Sequence, residues 1–450
     1  MRDKNFAMAE RIARKVAEKG GRTFYVGGLV RDRLLGRDNK DVDIEVHGIE
    51  PQTLHEILEE LGKPTVMGLS FGVFGLKSYE IDIAMPRKET ATGRGHRDFE
   101  VYVDPYLGTE KAAMRRDFTI NAMMQDVLTG EIVDHFGGRE DLKKGIIRHV
   151  NDNTFVEDPL RALRAAQFAA RFAFDVAEET VELSRTMDLR ALAKERIMGE
   201  LEKGLLKAEK PSVFFEVMHR MEQMKDWFPE TEMLRDVPQD PKHHPEGSVW
   251  NHTMMTLDYA ASLRAQAEFP LGFMMTALVH DFGKILVTEI DGERVHAYAH
   301  EIKGLPLVQK FLDRICNEIK LQKYVLNMTE NHMKPNMYYK DRSDRKKFCK
   351  MFDESVCPED LLLMAKADHF GRIAPSAYDE QEAFLNEELR VYKERMALPF
   401  VQGRDLVESG LKPGPAFHDA LQFAHKMRLA GVPKEEALAQ TLAYYERMKQ

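Results

Sequence analysis

The chain is 450 residues long, 43% hydrophobic and 31% charged, the proportions of a soluble globular protein, and its length predicts roughly three or four folding units. A formal net charge of −9 excludes blanket attraction to nucleic acid, although the 74 acidic residues can lie away from a local basic groove. Cys316, Cys349 and Cys357 are odd in number and lack paired-ligand spacing, which excludes a disulfide framework and a zinc ribbon. Apolar runs such as Gly272 to Val279 are too short to span a bilayer, and Met1-Arg2-Asp3-Lys4 opens no signal segment, so the expectation is a cytoplasmic protein with no membrane partner.

In chain order, Phe6, Ala9, Ile12 and Val16 recur at helical spacing until Gly20-Gly21. The apolar run Phe24 to Val26 then enters Gly27-Gly28, a helix-like run carries Arg31-Asp32, and Asp41-Val42-Asp43 returns on a second strand. Strand alternation puts the Asp41 and Asp43 carboxylates on one face, where they repel unless a hard cation such as Mg²⁺ lies between them. Glycines without Cβ let the backbone approach a triphosphate, and the N–H groups at the following helix start point at anions. Together these halves predict a nucleotidyl-transfer site.

Pro51 opens a helix burying Leu54, Ile57 and Leu58; strands are predicted over Phe71 to Leu76 and Tyr79 to Ala84, the second with Glu80 and Asp82 on one face. Either carboxylate can be a third metal ligand, with Asp82 preferred. A small sheet backed by helices is expected here. Pro86 to Gly95 is polar and predicted to be a loop, and Arg115-Arg116-Asp117 through Asn121-Ala122 is predicted to be helical, its paired arginines suited to a triphosphate or an RNA backbone. Asp134 to Leu142 reads as a glycine hinge. Asp158 is predicted as N-cap and Pro159 as first residue of a helix on which Asp158, Arg161 and Arg164 share a face. Arg196 and Glu200 are spaced to pair on a later helix, and Pro238 to Gly247 reads as a linker. Beyond it, helical runs carry His252, His280-Asp281, His296, His300, His332 and Asp368, which converging helices can gather on one metal.

These residues together resemble the class II tRNA nucleotidyltransferases, the bacterial CCA-adding enzymes and the related poly(A) polymerases, over about the first half of the chain. Gly27-Gly28, Arg31-Asp32 and Asp41-x-Asp43 are similar to the family's metal and triphosphate motif, with Gly28 and Arg31 at the nucleotide. Arg116, Asp117 and Asn121 match its ribose-recognising motif; Asp134 to Leu142 its hinge; Glu157-Asp158-x-x-Arg161 its amino-acid template for the incoming base, with Arg164 on the same helix; and Glu195 to Leu201 its helix-stabilising motif. The second half resembles an HD phosphohydrolase domain, in which His252, His280, Asp281 and Asp368 fall on the metal-ligand pattern, and His300 and His332 are candidates for a surrounding or second-metal role.

The resemblance implies an α/β nucleotidyltransferase head at 1–128, then a mainly α-helical remainder: a neck with the template at 129–232, an HD domain at 233–375 and a tail contacting tRNA at 376–450. It implies addition of C, C and A to the tRNA 3′ end from CTP and ATP, with Mg²⁺ at the head and Mn²⁺, Ni²⁺, Co²⁺ or Mg²⁺ at an HD site that hydrolyses phosphoesters on RNA ends. The family keeps its element for the switch to A addition within Pro86 to Gly95, whose retention argues against an enzyme adding only CC. The alternatives are an A-adding enzyme or poly(A) polymerase, and an HD phosphohydrolase whose head only binds RNA.

Overall fold

A computed structural model describes residues 2–39, 41–66, 72–91, 99–292 and 294–448. Two compact units emerge, Met1–Glu200 with Val213–Gln223, and Leu201–Ser212 with Met224–Gln450. The first is an α/β head continuing into helices, and the second is almost wholly helical.

In the first unit, α1 (Arg2–Glu18) buries Met8, Ala9, Ile12 and Val16, and Gly21 follows where a Cβ would lie 2.7 Å from the His47 carbonyl oxygen. Next come β1 (Arg22–Val26), α2 (Gly28–Leu34), β2 (Val42–His47), α3 (Pro51–Leu61), β3 (Pro64–Val66), β4 (Val73–Leu76) and β5 (Ile81–Ala84). With β6 (Arg87–Ala91), β7 (Phe99–Val103), α4 (Thr109–Met114), β8 (Met124–Asp126) and β9 (Ile132–Val133), they build a seven-stranded sheet of order β3-β4-β5-β2-β1-β8-β9 and a separate β6/β7 hairpin. In β2 the period of two is strict: Val42, Ile44 and Val46 lie in the core, and Asp43, Glu45 and His47 take the opposite face. That strand runs parallel to β5 and antiparallel to β1, so one edge of β2 receives Asp82 and the other the strand leading to the double glycine.

Two local expectations are corrected. Arg87 to Ala91, read as loop, pairs as β6 with β7; a two-stranded ribbon satisfies its backbone without needing the buried face whose absence suggested a loop. Thr92 to Gly95 of that expected loop, and Phe71 of the expected strand before it, lie outside the described residues. Arg115 to Asn121 is not a helix: α4 ends at Met114, Phe118 is extended (φ −127°, ψ 150°), and only Thr119–Asn121 forms a 3₁₀ turn. The cause is Asp117, whose Oδ1 accepts from the Phe118 backbone N–H (2.8 Å) and from Asn121 Nδ2 (3.0 Å), a local alternative to helical bonding.

Helices α5 (Gly138–Lys144), α6 (Asp152–Val156) and α7 (Leu160–Phe172) follow. Asp134 accepts from the backbone N–H groups of Gly138 and Arg139, so the hinge motif is a capped helix start. On α7 the first helical residue is Leu160, one later than expected; Asp158 still caps it by accepting from its N–H at 3.2 Å.

The second unit packs helices Val249–Leu263, Pro270–Val279, Ile319–Asn331 and Pro358–Phe370 around Leu257, Phe273, Val325 and Leu361. Against the expectation that the apolar runs are too short, the stretch Pro270–Val287 is long and apolar enough to cross a membrane by length and composition, but it covers two helices, Pro270–Val279 and Lys284–Val287, and is 67% buried in the core. Pro238 to Gly247, read as a linker, is instead a packed turn: Gln239 and Glu246 are buried and the Gln239 N–H donates to the Gly247 carbonyl. Helices Gly403–Glu408, Ala416–Ala430 and Lys434–Met448 share a core of their own around Leu406, Ala420, Ala424 and Tyr445.

Candidate functional site

In the first unit the site forms at the end of β1. Gly27 takes φ +66°, a conformation L side chains rarely adopt, and turns the chain into α2 with Gly28 as its first residue. Asp41 precedes β2, and Asp43 sits on it in register with Asp82 of β5. Burial, then the nearby Asp82 charge, pushes the Asp43 carboxyl above the ordinary carboxylate range. Like charges gathered beside Asp43 are relieved by a divalent cation, so Asp41, Asp43 and Asp82 are the head residues that could hold one. Glu80 lies before β5, and its N–H donates to Asn5 Oδ1.

Arg31, expected at the nucleotide, is 3% exposed and tied inside the protein. It donates to Asp32 (2.8 Å) and Asn121 Oδ1 (2.6 Å), and its guanidinium lies 4.6 Å from the Phe172 ring centroid. Asp117 accepts from Arg164 at 2.6 and 2.8 Å. Burial opposes ionisation of Asp117, yet Arg164 and the other donors hold its carboxyl below the usual range. Arg161 donates to the backbone carbonyls of Thr154 and Arg115, both at 2.8 Å, which fixes its plane. Arg196 does not pair with Glu200 as its spacing predicts: it donates to both oxygens of Asp158 (2.8 and 3.1 Å), while Glu200 lies 3.7 Å from Arg164. Arg164, Asp117, Asn121 and Arg31 thus form one hydrogen-bonded chain, with the Asp158–Arg196 pair and the backbone-anchored Arg161 on the neighbouring turn.

Sequence reasoning missed Glu45 and His47. The alternation that paired Asp41 with Asp43 runs on to them, and that was the available signal. Glu45 is 1% exposed, 2.9 Å from His47 Nε2 and 3.6 Å from Arg116 Nη2.

In the second unit, residues from separate helices converge on Asp281. His280 and Asp281 end the apolar helix, His252 comes from Val249–Leu263, Asp368 from Pro358–Phe370, and His332 follows Ile319–Asn331. Asp281 Oδ2 lies 3.3 Å from His280 Nε2, 3.7 Å from His252 Nε2 and 2.7 Å from Lys284 Nζ; its Oδ1 lies 3.1 Å from His300 Nε2 and 4.0 Å from His332 Nε2. His252 Nε2 is 3.0 Å from Asp368 Oδ1.

The tautomers follow from the backbone. His280, His300 and His332 each place Nδ1 against the carbonyl three residues earlier, of Ala277 (3.0 Å), Ala297 (3.0 Å) and Thr329 (2.6 Å). A carbonyl only accepts, so Nδ1 carries the proton and the Nε2 lone pair faces inward. Those three Nε2 atoms are buried without hydrogen-bond partners, and the Asp281 carboxylate they face has the Lys284 ammonium on its Oδ2. Lone pairs aimed at a carboxylate repel unless a cation intervenes, so this set fits a divalent metal, with His300 and His332 inside the same cluster. Behind it, Glu246, 1% exposed at its side chain, lies 3.2 Å from His252 Nδ1 and 2.8 Å from His244 Nδ1; it was missed because its turn reads as a linker. A groove of about 780 Å³ leads to the cluster, lined among others by His244, Lys284, His296, His300 and Arg372.

An α/β head with paired strand aspartates under a double glycine, joined to a buried His/Asp centre, defines a nucleotidyltransferase head carried with an HD domain. Residues 23–148 match the poly A polymerase head domain family and residues 249–372 the HD domain family. The chain is 36% identical over 424 residues to the multifunctional CCA protein of Stenotrophomonas maltophilia, covering 90% of this chain and 98% of the relative. It is 34% identical over 428 residues to that of Pseudomonas aeruginosa, covering 92% and 99%. The chain therefore belongs to the multifunctional CCA protein family. Its fold is that of solved CCA-adding enzymes: one in complex with ATP (TM-score 0.67, 21% identity, 98% of this chain and 93% of that one) and the Thermotoga maritima enzyme complexed with tRNA (TM-score 0.63, 22% identity, 98% and 94%).

Proposed function

We propose that this protein is a CCA-adding tRNA nucleotidyltransferase, which extends the tRNA 3′ end by C, C and A from CTP and ATP and releases pyrophosphate. The observation that carries the reading is the register of Asp43 with Asp82 beside the Gly27-Gly28 turn, in a chain that aligns along nine-tenths of its length with a multifunctional CCA protein. Asp41, Asp43 and Asp82 would hold Mg²⁺, which when bound polarises the terminal ribose hydroxyl and the triphosphate for in-line displacement. Gly27 and Gly28 leave room for the phosphates, and Asp117 and Asn121 recognise the ribose.

Asp158 and Arg161 supply the base choice. A carboxylate acceptor beside a guanidinium donor suits a base with an exocyclic amine next to an unprotonated ring nitrogen, as in cytosine and adenine. Guanine and uracil would set a carbonyl against the carboxylate and a ring N–H against the guanidinium. Because Arg196 holds Asp158, base entry exchanges or shares that contact.

In this reading 1–128 is the head, 129–232 the neck, 233–375 the HD domain and 376–450 a tail that gauges the tRNA by its backbone. The HD cluster, holding Mn²⁺, Ni²⁺, Co²⁺ or Mg²⁺, hydrolyses cyclic or terminal phosphates on RNA ends, with Lys284 and Arg372 attracting the phosphate. The protein works in the cytoplasm.

Incubation of tRNA lacking its 3′ end with CTP, with ATP and with both is the test. Cytidine incorporation with CTP alone and completion only with both nucleotides is expected. No cytidine incorporation would reduce the enzyme to A addition.

A further inference from the structure

We infer that Glu45 is a positioning residue for nucleotide addition, holding the Arg116 guanidinium where it meets the phosphates of either incoming nucleotide. The inference rests on the head being the nucleotidyl-transfer site.

Burying a carboxylate in a sheet is unfavourable unless charged or hydrogen-bonded partners compensate, and a valine or isoleucine would fill a strand position without that cost. The other face of β2 is filled that way, by Val42, Ile44 and Val46. Glu45 is nevertheless 1% exposed and has two cationic or polar partners, His47 at 2.9 Å and Arg116 at 3.6 Å. His47 is itself held edge-on against the Phe24 ring, with centroids 5.3 Å apart, so Glu45 Oε1 has a fixed backstop and Oε2 is left for the arginine.

Arg116 is where a phosphate ligand would need it. Its Nη1 lies 3.2 Å from the point a Cβ on Gly27 would occupy, directly beside the turn that leaves room for the phosphates. Its Nε is buried without a hydrogen-bond partner. A guanidinium between the glycine turn and the metal-facing aspartates reaches phosphate oxygens rather than the base, which lies with Asp158 and Arg161. Phosphates are common to CTP and ATP, so the two nucleotides must feel Glu45 equally.

The experiment compares Glu45→Gln, Arg116→Ala and the double variant by KM and kcat for CTP and ATP, with melting temperature as a fold control. E45Q is expected to raise KM for both nucleotides on the order of tenfold with little change in kcat, the loss of one charge-assisted contact. It should add nothing in the R116A background. Unchanged KM, an effect on one nucleotide only, or an effect additive with R116A would overturn the inference. If E45Q melts below the assay temperature, R116A alone decides: restoration of KM by added guanidinium supports an anchoring carboxylate, and no restoration overturns it. Asp43→Asn is the control for the underlying reading. Addition that survives it would sink the head assignment and this inference together, whereas addition lost in Asp43→Asn and unaffected in E45Q would sink the inference alone.

Discussion

The head and HD centres are candidates for the same task, holding a divalent cation, built from opposite kinds of structure. In the proposed reading the head would use oxygen donors on neighbouring strands, with Asp43 in register with Asp82 and Asp41 exposed just before β2. The HD centre uses buried imidazoles and carboxylates from several helices, and three of its histidines are fixed by backbone carbonyls. An open carboxylate site suits a metal that arrives with its substrate and keeps water ligands. A closed imidazole site suits a resident metal with the substrate coming to it through a groove. The lesson is that donor type and burial together, rather than ligand count, separate the two.

Single substitutions should break the comparison cleanly. Asp43→Asn should lower CTP incorporation into tRNA on the order of a thousandfold or more, while leaving divalent-metal binding at the HD cluster intact by calorimetry. Asp281→Asn should do the reverse, abolishing calorimetric Mn²⁺ binding at the HD cluster with CTP incorporation within about twofold of the unaltered protein. Equal loss of both activities in either variant would show that the centres are not independent.

Smaller effects sharpen the roles inside the head. Asp158→Asn should reduce discrimination of CTP over UTP roughly ten- to a hundredfold, read as a ratio of kcat/KM values, because an amide can donate where the carboxylate could only accept. Asp117→Asn should destabilise the first unit by about 2 kcal/mol, since Arg164 and Asn121 lose a buried anionic acceptor and partial exposure of Arg164 discounts the full cost of a broken buried pair. The same pair sets an acid limb. The folded carboxyl of Asp117 is held below its ordinary value, so its contribution is complete above the unfolded pKa and is lost as pH falls through that value toward the folded one. Melting temperature should therefore fall below about pH 4, and fall less steeply in Asp117→Asn.

Much of the head was legible because its information is local. The strand period that put Asp41 and Asp43 on one face and the glycine pair before a helix are short-range signals, and β1, α2 and β2 fold as those signals predict. The same alternation extended one step further would have found Glu45, and a second step His47. The misread segments are those where a side chain competes with the backbone or where pairing is distant: Asp117 diverts a helical pattern into a turn, and β6 becomes a strand through β7. Arg196 chose Asp158, 38 residues away, over the Glu200 that its spacing favours.

By itself, the sequence determined the class of chemistry, since carboxylates at period two beside glycines and a His-Asp pair ending an apolar helix each limit what can be bound. Tertiary structure alone decided which groups touch. It put Asp82 rather than Glu80 beside Asp43, brought His300 and His332 into the HD cluster, turned Arg31 inward and placed Glu246 behind His252. The physical reason is range: backbone periodicity repeats every two or 3.6 residues and is written along the chain, whereas a ligand set is a meeting of side chains remote in sequence, which leaves no local pattern to read.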